Sequence, residues 1–187
     1  MDCRGHGESG GVFEFDRHEH HDVAAVARAL LEETGAERLV LLGLSAGGAI
    51  AISAAARHRE LPVAGLVLIS PVSDFRRVIP RPNPFTIHRH LSLGEAVKTP
   101  RFRWAGDDRL SPLADIREIA APLCLIHARN DWLVSHGHSE ALHRNAGDAE
   151  LHILEIPGRY HADKLFSVAP ELLWPLLESF IRRFIRP

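Results

Sequence analysis

The residues 43–47, Gly43-Leu44-Ser45-Ala46-Gly47, have the form G-x-S-x-G, and Gly48 follows. A serine hydroxyl is a weak nucleophile at its own pKa. It does chemistry only beside a base that takes its proton and an acid that orients the base. The flanks of this motif suit that task. Residues 38–43 (RLVLLG) read as a buried strand, and residues 46–58 as a helix rich in small side chains. A serine on the sharp turn between strand and helix has its Oγ pushed out and exposed. Side chains at Gly43 and Gly47 are expected to clash with the neighbouring strand and helix. The helix N-terminus behind Ser45 favours negative charge developing near Oγ. The competing reading is a serine that merely occupies a tight turn, and the strand–turn–helix setting argues against it. Thirteen histidines compete for the role of base, so residue type alone selects none of them.

The elements that must position such a serine are legible as alternating runs. Residues 63–70 (VAGLVLIS), 122–127 (PLCLIH) and 151–156 (LHILEI) are short and almost continuously apolar. Strands of this kind, separated by helical patterns, indicate parallel β-structure buried on both faces. Upstream, residues 19–33 carry Val23, Val26, Ala27, Leu30 and Leu31 as a helical stripe, and Gly35 stands near the C-cap. A last helix is predicted over residues 170–184, with Leu172, Leu173, Leu176, Leu177, Phe180 and Phe184 on its core side. Pro175 should sit in its first turn or kink it. Residues 72–112 hold Pro80, Pro82, Pro84 and Pro100 and show no strand period; they read as an insertion. Phe85, Phe102 and Trp104 there could line a substrate pocket or form the insertion's own small core.

A second segment, Asp2-Cys3-Arg4-Gly5-His6-Gly7-Glu8-Ser9, is similar to the D-x-R-G-x-G-x-S loop of the α/β-hydrolase superfamily. Together with the serine motif it makes the chain resemble that superfamily from Asp2 onward. The resemblance implies a base after the last strand. His161, in Pro157-Gly158-Arg159-Tyr160-His161, resembles the family's G-x-x-H. His127 and His152 lie within strands and are expected to be packed; His136, His138 and His143 fall on the loop and helix after the third strand. The acid is implied in the loop after that strand, where 126–131 resemble H-G-x-x-D with Ala128 in place of glycine. Asp131 is therefore expected to be the acid, in the order Ser…Asp…His of this fold. Asp74, after the second strand, is the rival. The oxyanion hole would take one donor from the backbone N–H of Ala46. Its second donor comes, in this family, from a loop earlier than Asp2. The chain is thus read as N-terminally truncated, with the elbow strand left as an open sheet edge.

Net charge is −2, so there is no electrostatic footprint for nucleic acid or an anionic membrane. No apolar stretch reaches the ~18 residues a membrane helix needs. The start lacks the apolar core of a signal peptide, and a cytoplasmic location is the default expectation. Two cysteines make no disulfide framework, and Cys124, in an apolar run, reads as a buried hydrophobe. His18-Glu19-His20-His21-Asp22 misses H-E-x-x-H by having Asp22 at the second histidine's place, so it supports no zinc motif and reads as the polar entry to a helix. The glycines near the start lack the Gly-Lys-Ser/Thr of a phosphate loop.

The expectation is one domain, residues 1–187, of class α/β: a doubly wound, mostly parallel sheet with a short cap at 72–112. The expected activity is hydrolysis of a small carboxylic ester through an acyl-serine, with Ser45, Asp131 and His161 as the triad and no cofactor or metal. A serine aminopeptidase-like peptidase acting on short peptides, and a catalytically impaired fragment with a binding or structural role, are the alternatives. A homodimer through the exposed sheet edge is expected.

Overall fold

A computed structural model describes residues 2–15, 17–78, 103 and 111–184. Four strands, β1 (Leu39–Leu44), β2 (Val63–Ile69), β3 (Leu123–Ala128) and β4 (Ala149–Leu154), pair in parallel in the order β1-β2-β3-β4. Four longer helices accompany them: α1 (Glu19–Thr34), α2 (Ala46–Arg57), α3 (Gly137–Asn145) and α4 (Pro170–Arg182). No described helix is long and apolar enough to cross a membrane.

The continuous apolar runs are explained by burial on both sides. Successive side chains of a strand point to opposite faces. Leu66, Leu68, Leu123 and Leu125 pack with Ile52 of α2, Ile116 and Leu142 of α3. The alternate residues Val67, Ile69, Cys124 and Ile126 pack with Leu165 and with Leu173, Leu177 and Phe180 of α4. The sheet is therefore doubly wound, and β2 and β3 sit at its centre with no strand residue wasted on solvent. Gly65 matters for the second face: a Cβ there would lie 2.8 Å from the Phe184 ring and 3.1 Å from that of Phe180.

Several boundaries and faces differ from the sequence reading. β4 runs two residues earlier than 151–156. Its register is set by β3, with Leu123 opposite Ala149 and the Leu123 N–H donated to Asp148 O at 2.9 Å. On α1 the buried face is His20, Ala24 and Ala27, with Leu31 partly covered, whereas Val26 and Leu30 are about half exposed. The turn-to-turn spacing of 20, 24, 27 and 31 selects small residues, because α1 packs against the alanine- and glycine-rich α2 and close approach excludes larger side chains. On α4, Leu173, Leu177 and Phe180 are buried but Leu172 is exposed, one position off the stripe. Pro170 opens that helix, and Pro175 lies inside it rather than in its first turn. Gly35 ends α1 in the left-handed conformation, φ 67°, with its N–H donated to Leu31 O. Residues 79–102 and 104–110, with Phe85, Phe102 and Trp104 and most of the expected cap, lie outside the described residues.

Candidate active site

β1 hands the chain to α2 through a single residue. Ser45 has φ 54° and ψ −119°, a left-handed backbone that residues with a Cβ rarely adopt. Its N–H is donated to Ile69 O at the end of β2, 2.9 Å away, and its own carbonyl accepts the N–H groups of Gly48 and Val72. The turn is thus bolted at three points while the side chain stays partly exposed.

The glycines around Ser45 do different jobs. A Cβ on Gly43 would stand 2.6 Å from Gly47 O and from Gly48 Cα, which are backbone atoms with nowhere to go. A Cβ on Gly48 would stand 2.8 Å from Pro71 Cβ. A Cβ on Gly47 would meet nothing within 4 Å. The clash expected at Gly47 is therefore at Gly48 instead, because the helix turns its third residue, not its second, toward the β2 edge.

Two further residues with positive φ stand at the same carboxyl edge: Ser70 (φ 50°) after β2 and Ala162 (φ 37°) after β4. They are joined, since the Ala162 N–H is donated to Ser70 Oγ at 3.3 Å. Ser70 in turn donates its N–H to Ile126 O of β3 at 2.8 Å. His161, next to Ala162, is held by this chain of contacts over the same edge as Ser45. Gly158 makes the turn before it at φ 99°.

His161 Nδ1 lies 2.8 Å from Asp131 Oδ2. The Asp131 side chain is fully buried, and its other oxygen accepts the N–H groups of Leu133 at 2.9 Å and Val134 at 3.0 Å. Burial alone would push the Asp131 carboxyl up. Hydrogen bonds from His127, His161 and the two backbone N–H groups outweigh it and hold the carboxyl well below the usual carboxylate range. His127, expected from the sequence to be packed, is packed and also faces the acid. Fully buried, it places Nε2 2.9 Å from Val134 O and 3.4 Å from Asp131 Oδ2, with Nδ1 2.7 Å from Ser139 Oγ. Its position four residues before Asp131 was the available signal. The His161 Nε2 is buried and has no hydrogen-bond partner among the described residues, Ser45 Oγ included.

Asp74 is placed otherwise. Its Oδ1 accepts the Arg76 N–H at 2.9 Å and the Arg76 Nε–H at 3.1 Å. Of the other histidines, His138 is buried against Ser73, 2.8 Å from its Oγ, and burial pushes its imidazole below the ordinary value. His152 lies on β4, partly exposed beside Glu150. A cleft of about 560 Å³ lined by Arg129, Asn130, Asp131, Ser135, His136, Gly158 and Arg159 runs past the acid but not past Ser45.

The second sequence segment closes onto α1. Arg4 donates through Nε to Asp22 Oδ2 at 2.8 Å and through Nη2 to Oδ1 at 2.5 Å. Glu19, buried at the start of α1, accepts the N–H groups of Glu14, Arg17 and His18. The charged run 18–22 is thus the entry to a helix, with its acids used for structure.

A parallel sheet wrapped on both faces, with a serine on a one-residue strand-to-helix turn at its carboxyl edge, is the architecture of the α/β-hydrolases. Comparison with known families narrows this. The model of the family described as serine aminopeptidase, S33, matches residues 1–111, and the chain belongs to that family. The match includes Ser45 and ends before Asp131 and His161. Among solved structures, an esterase of Pyrococcus furiosus, Pf2001, superposes with a TM-score of 0.73 at 20% identity, over 99% of this chain and 69% of that one. Est816, described as an N-acyl homoserine lactone degrading enzyme, gives a TM-score of 0.68 at 18% identity, over 96% of this chain and 80% of that one. A monoacylglycerol lipase of Paleococcus ferrophilus gives 0.62 at 22% identity, over 97% of this chain and 81% of that one. These likenesses show a shared fold. No curated protein matches the chain.

Proposed function

We propose that this chain is a serine hydrolase that cleaves a small carboxylic ester through an acyl-Ser45 intermediate. The observation that carries the reading is His161, whose Nδ1 is engaged by a buried, ionised Asp131 while its Nε2 has no hydrogen-bond partner among the described residues. An imidazole so held keeps its proton on Nδ1, so Nε2 bears the lone pair that a general base needs. In the proposed reaction Ser45 Oγ attacks the ester carbonyl and its proton passes to Nε2. The Ala46 N–H donates to the oxyanion. His161 then returns the proton to the departing alcohol, and water, activated at the same nitrogen, releases the acid and restores the serine. Hydrogen bonds of this kind are commonly long before substrate arrives and tighten in the complex, so a separate Ser45 and His161 accord with the role.

The family's description favours one second reading, a peptidase that removes an N-terminal residue. Parallel assays on a short-chain p-nitrophenyl ester and on aminoacyl p-nitroanilides separate the two. For either reaction, Ser45→Ala should lower kcat by about 10⁴–10⁶ with an unchanged circular dichroism spectrum. Labelling by a fluorophosphonate should disappear with it. Labelling that persists in the variant would remove Ser45 from the reaction.

A further inference from the structure

We propose that His20, His21 and His58 form a binding site for a divalent transition metal of the zinc type that clamps α1 to the C-terminal end of α2. The ring nitrogens of the three histidines lie within 4.8 Å of one another. His20 Nδ1 and His58 Nε2 are 3.1 Å apart. Two nitrogens bound tetrahedrally at about 2.0–2.1 Å stand roughly 3.3 Å apart, so this pair is close to the spacing a zinc ion imposes. The third nitrogen reaches the ion by a side-chain rotation, and His21 is exposed enough to make it. Three imidazoles without a carboxylate or carbonyl suit zinc, copper or nickel and not magnesium or calcium.

The surroundings of His58 support the assignment. Glu60 Oε1 lies 3.4 Å from His58 Nδ1. A metal on Nε2 requires the ring proton to be on Nδ1, facing that carboxylate, which is the carboxylate–histidine–metal arrangement found around zinc sites. Arg28 Nη2 pairs with Glu60, so the carboxylate is itself oriented; the same Nη2, a donor only, lies 3.4 Å from Nδ1 and has to turn wholly to Glu60 once that nitrogen carries the proton. Binding exchanges the hydrogen bond between His20 Nδ1 and His58 Nε2 for two nitrogen–metal bonds, and whichever ring donates in that bond shifts its proton to its other nitrogen, with no net change in protons on either ring.

The position defines the role. His58 caps the end of α2 whose other end begins at Ser45. Twelve helical residues at 1.5 Å each put the ion roughly 18 Å from the nucleophile. It would join two helices that otherwise meet through small side chains, and would touch no reacting atom. The local spacing 18–22 excluded a zinc motif because one ligand comes from 38 residues downstream.

The test uses the full chain without a histidine tag, stripped with a chelator. Zinc should raise the melting temperature with saturation at one ion per chain, and cobalt should give the visible absorption of a tetrahedral imidazole complex. His21→Ala, at an exposed position, and His58→Gln should each weaken cobalt binding at least tenfold and abolish the zinc-dependent rise. His143→Gln, on exposed α3 surface, should leave both intact. No saturable binding to the wild type, or binding that survives both His21→Ala and His58→Gln, would overturn the proposal.

Discussion

Replacing Asp131 by asparagine keeps the shape of the side chain and removes the charge against which His161 is set. The amide can no longer stabilise an imidazolium and can hold the wrong tautomer, an effect worth about 10⁴ in the comparable serine-protease case. Asp74→Asn disturbs a carboxylate that grips its neighbour Arg76, so its effect on kcat/KM should stay within about tenfold. Steady-state turnover of the same ester by both variants checks this, and a larger loss from the Asp74 change would move the acid to the end of β2. At this scale the serine and its turn were legible because their signal is local: five residues, a strand before and a helix after. His127 and His58 were not, because their value lies in what the fold brings to them. His127 sits in an apolar run that reads as core, and is core, but its ring also faces Asp131.

The join between β1 and α2 makes a prediction of its own. Gly43→Ala and Gly48→Ala place a methyl group against backbone and against Pro71, and each should destabilise the fold by about 1–3 kcal/mol. Gly47→Ala meets open space inside a helix, where alanine is favoured by roughly 0.5–1 kcal/mol, so it should be neutral or stabilising. Urea midpoints for the three variants check the order; a Gly47 variant as unstable as the other two would mean that the turn needs glycine for its backbone and not for space. The motif's regular expression treats Gly43 and Gly47 alike, and only packing separates them. Element boundaries were legible to within about one residue for β1, β2, β3 and α1. They slipped by two residues on β4, which has a strand neighbour on one side only among the described residues, and on α1 the buried face was misplaced because the larger apolar residues lie off it.

Taken as a whole, the described sheet has β1 at one edge, paired only with β2, and Leu42 on that strand is 48% exposed. An apolar edge with unpaired backbone groups is a template for another strand. We expect the chain to self-associate, with a molar mass by light scattering that rises with concentration, and Leu42→Lys to shift it toward monomer. A wild-type chain that is monomeric at every concentration would contradict this. The doubly wound class was readable from the runs at residues 63–70 and 122–127, since a strand apolar on both faces has to be covered on both; the run at 38–43 reads the same way, but β1 leaves Leu42 exposed. The insertion expected at 72–112 rests on prolines and the lack of a period alone, and most of it lies outside the described residues.

The same two-sided cover has a consequence for reactivity. Cys124 lies in β3 between two strands and under α4, fully buried, and desolvation, with Glu150 adding to it, pushes its thiol up to about 12. At pH 8 only about one molecule in 10⁴ would carry a thiolate there, and that one is shielded from reagent. Cys3 is the other free thiol; burial, with Asp22 and Glu19 adding to it, raises its thiol too, but it is only half-buried and so open to reagent. A disulfide reagent added to the native protein should therefore count one sulfur promptly and the second only as the sheet comes apart. The slow phase is a clock for whole-molecule opening, built in without a label, and any ligand that holds the fold closed should lengthen it.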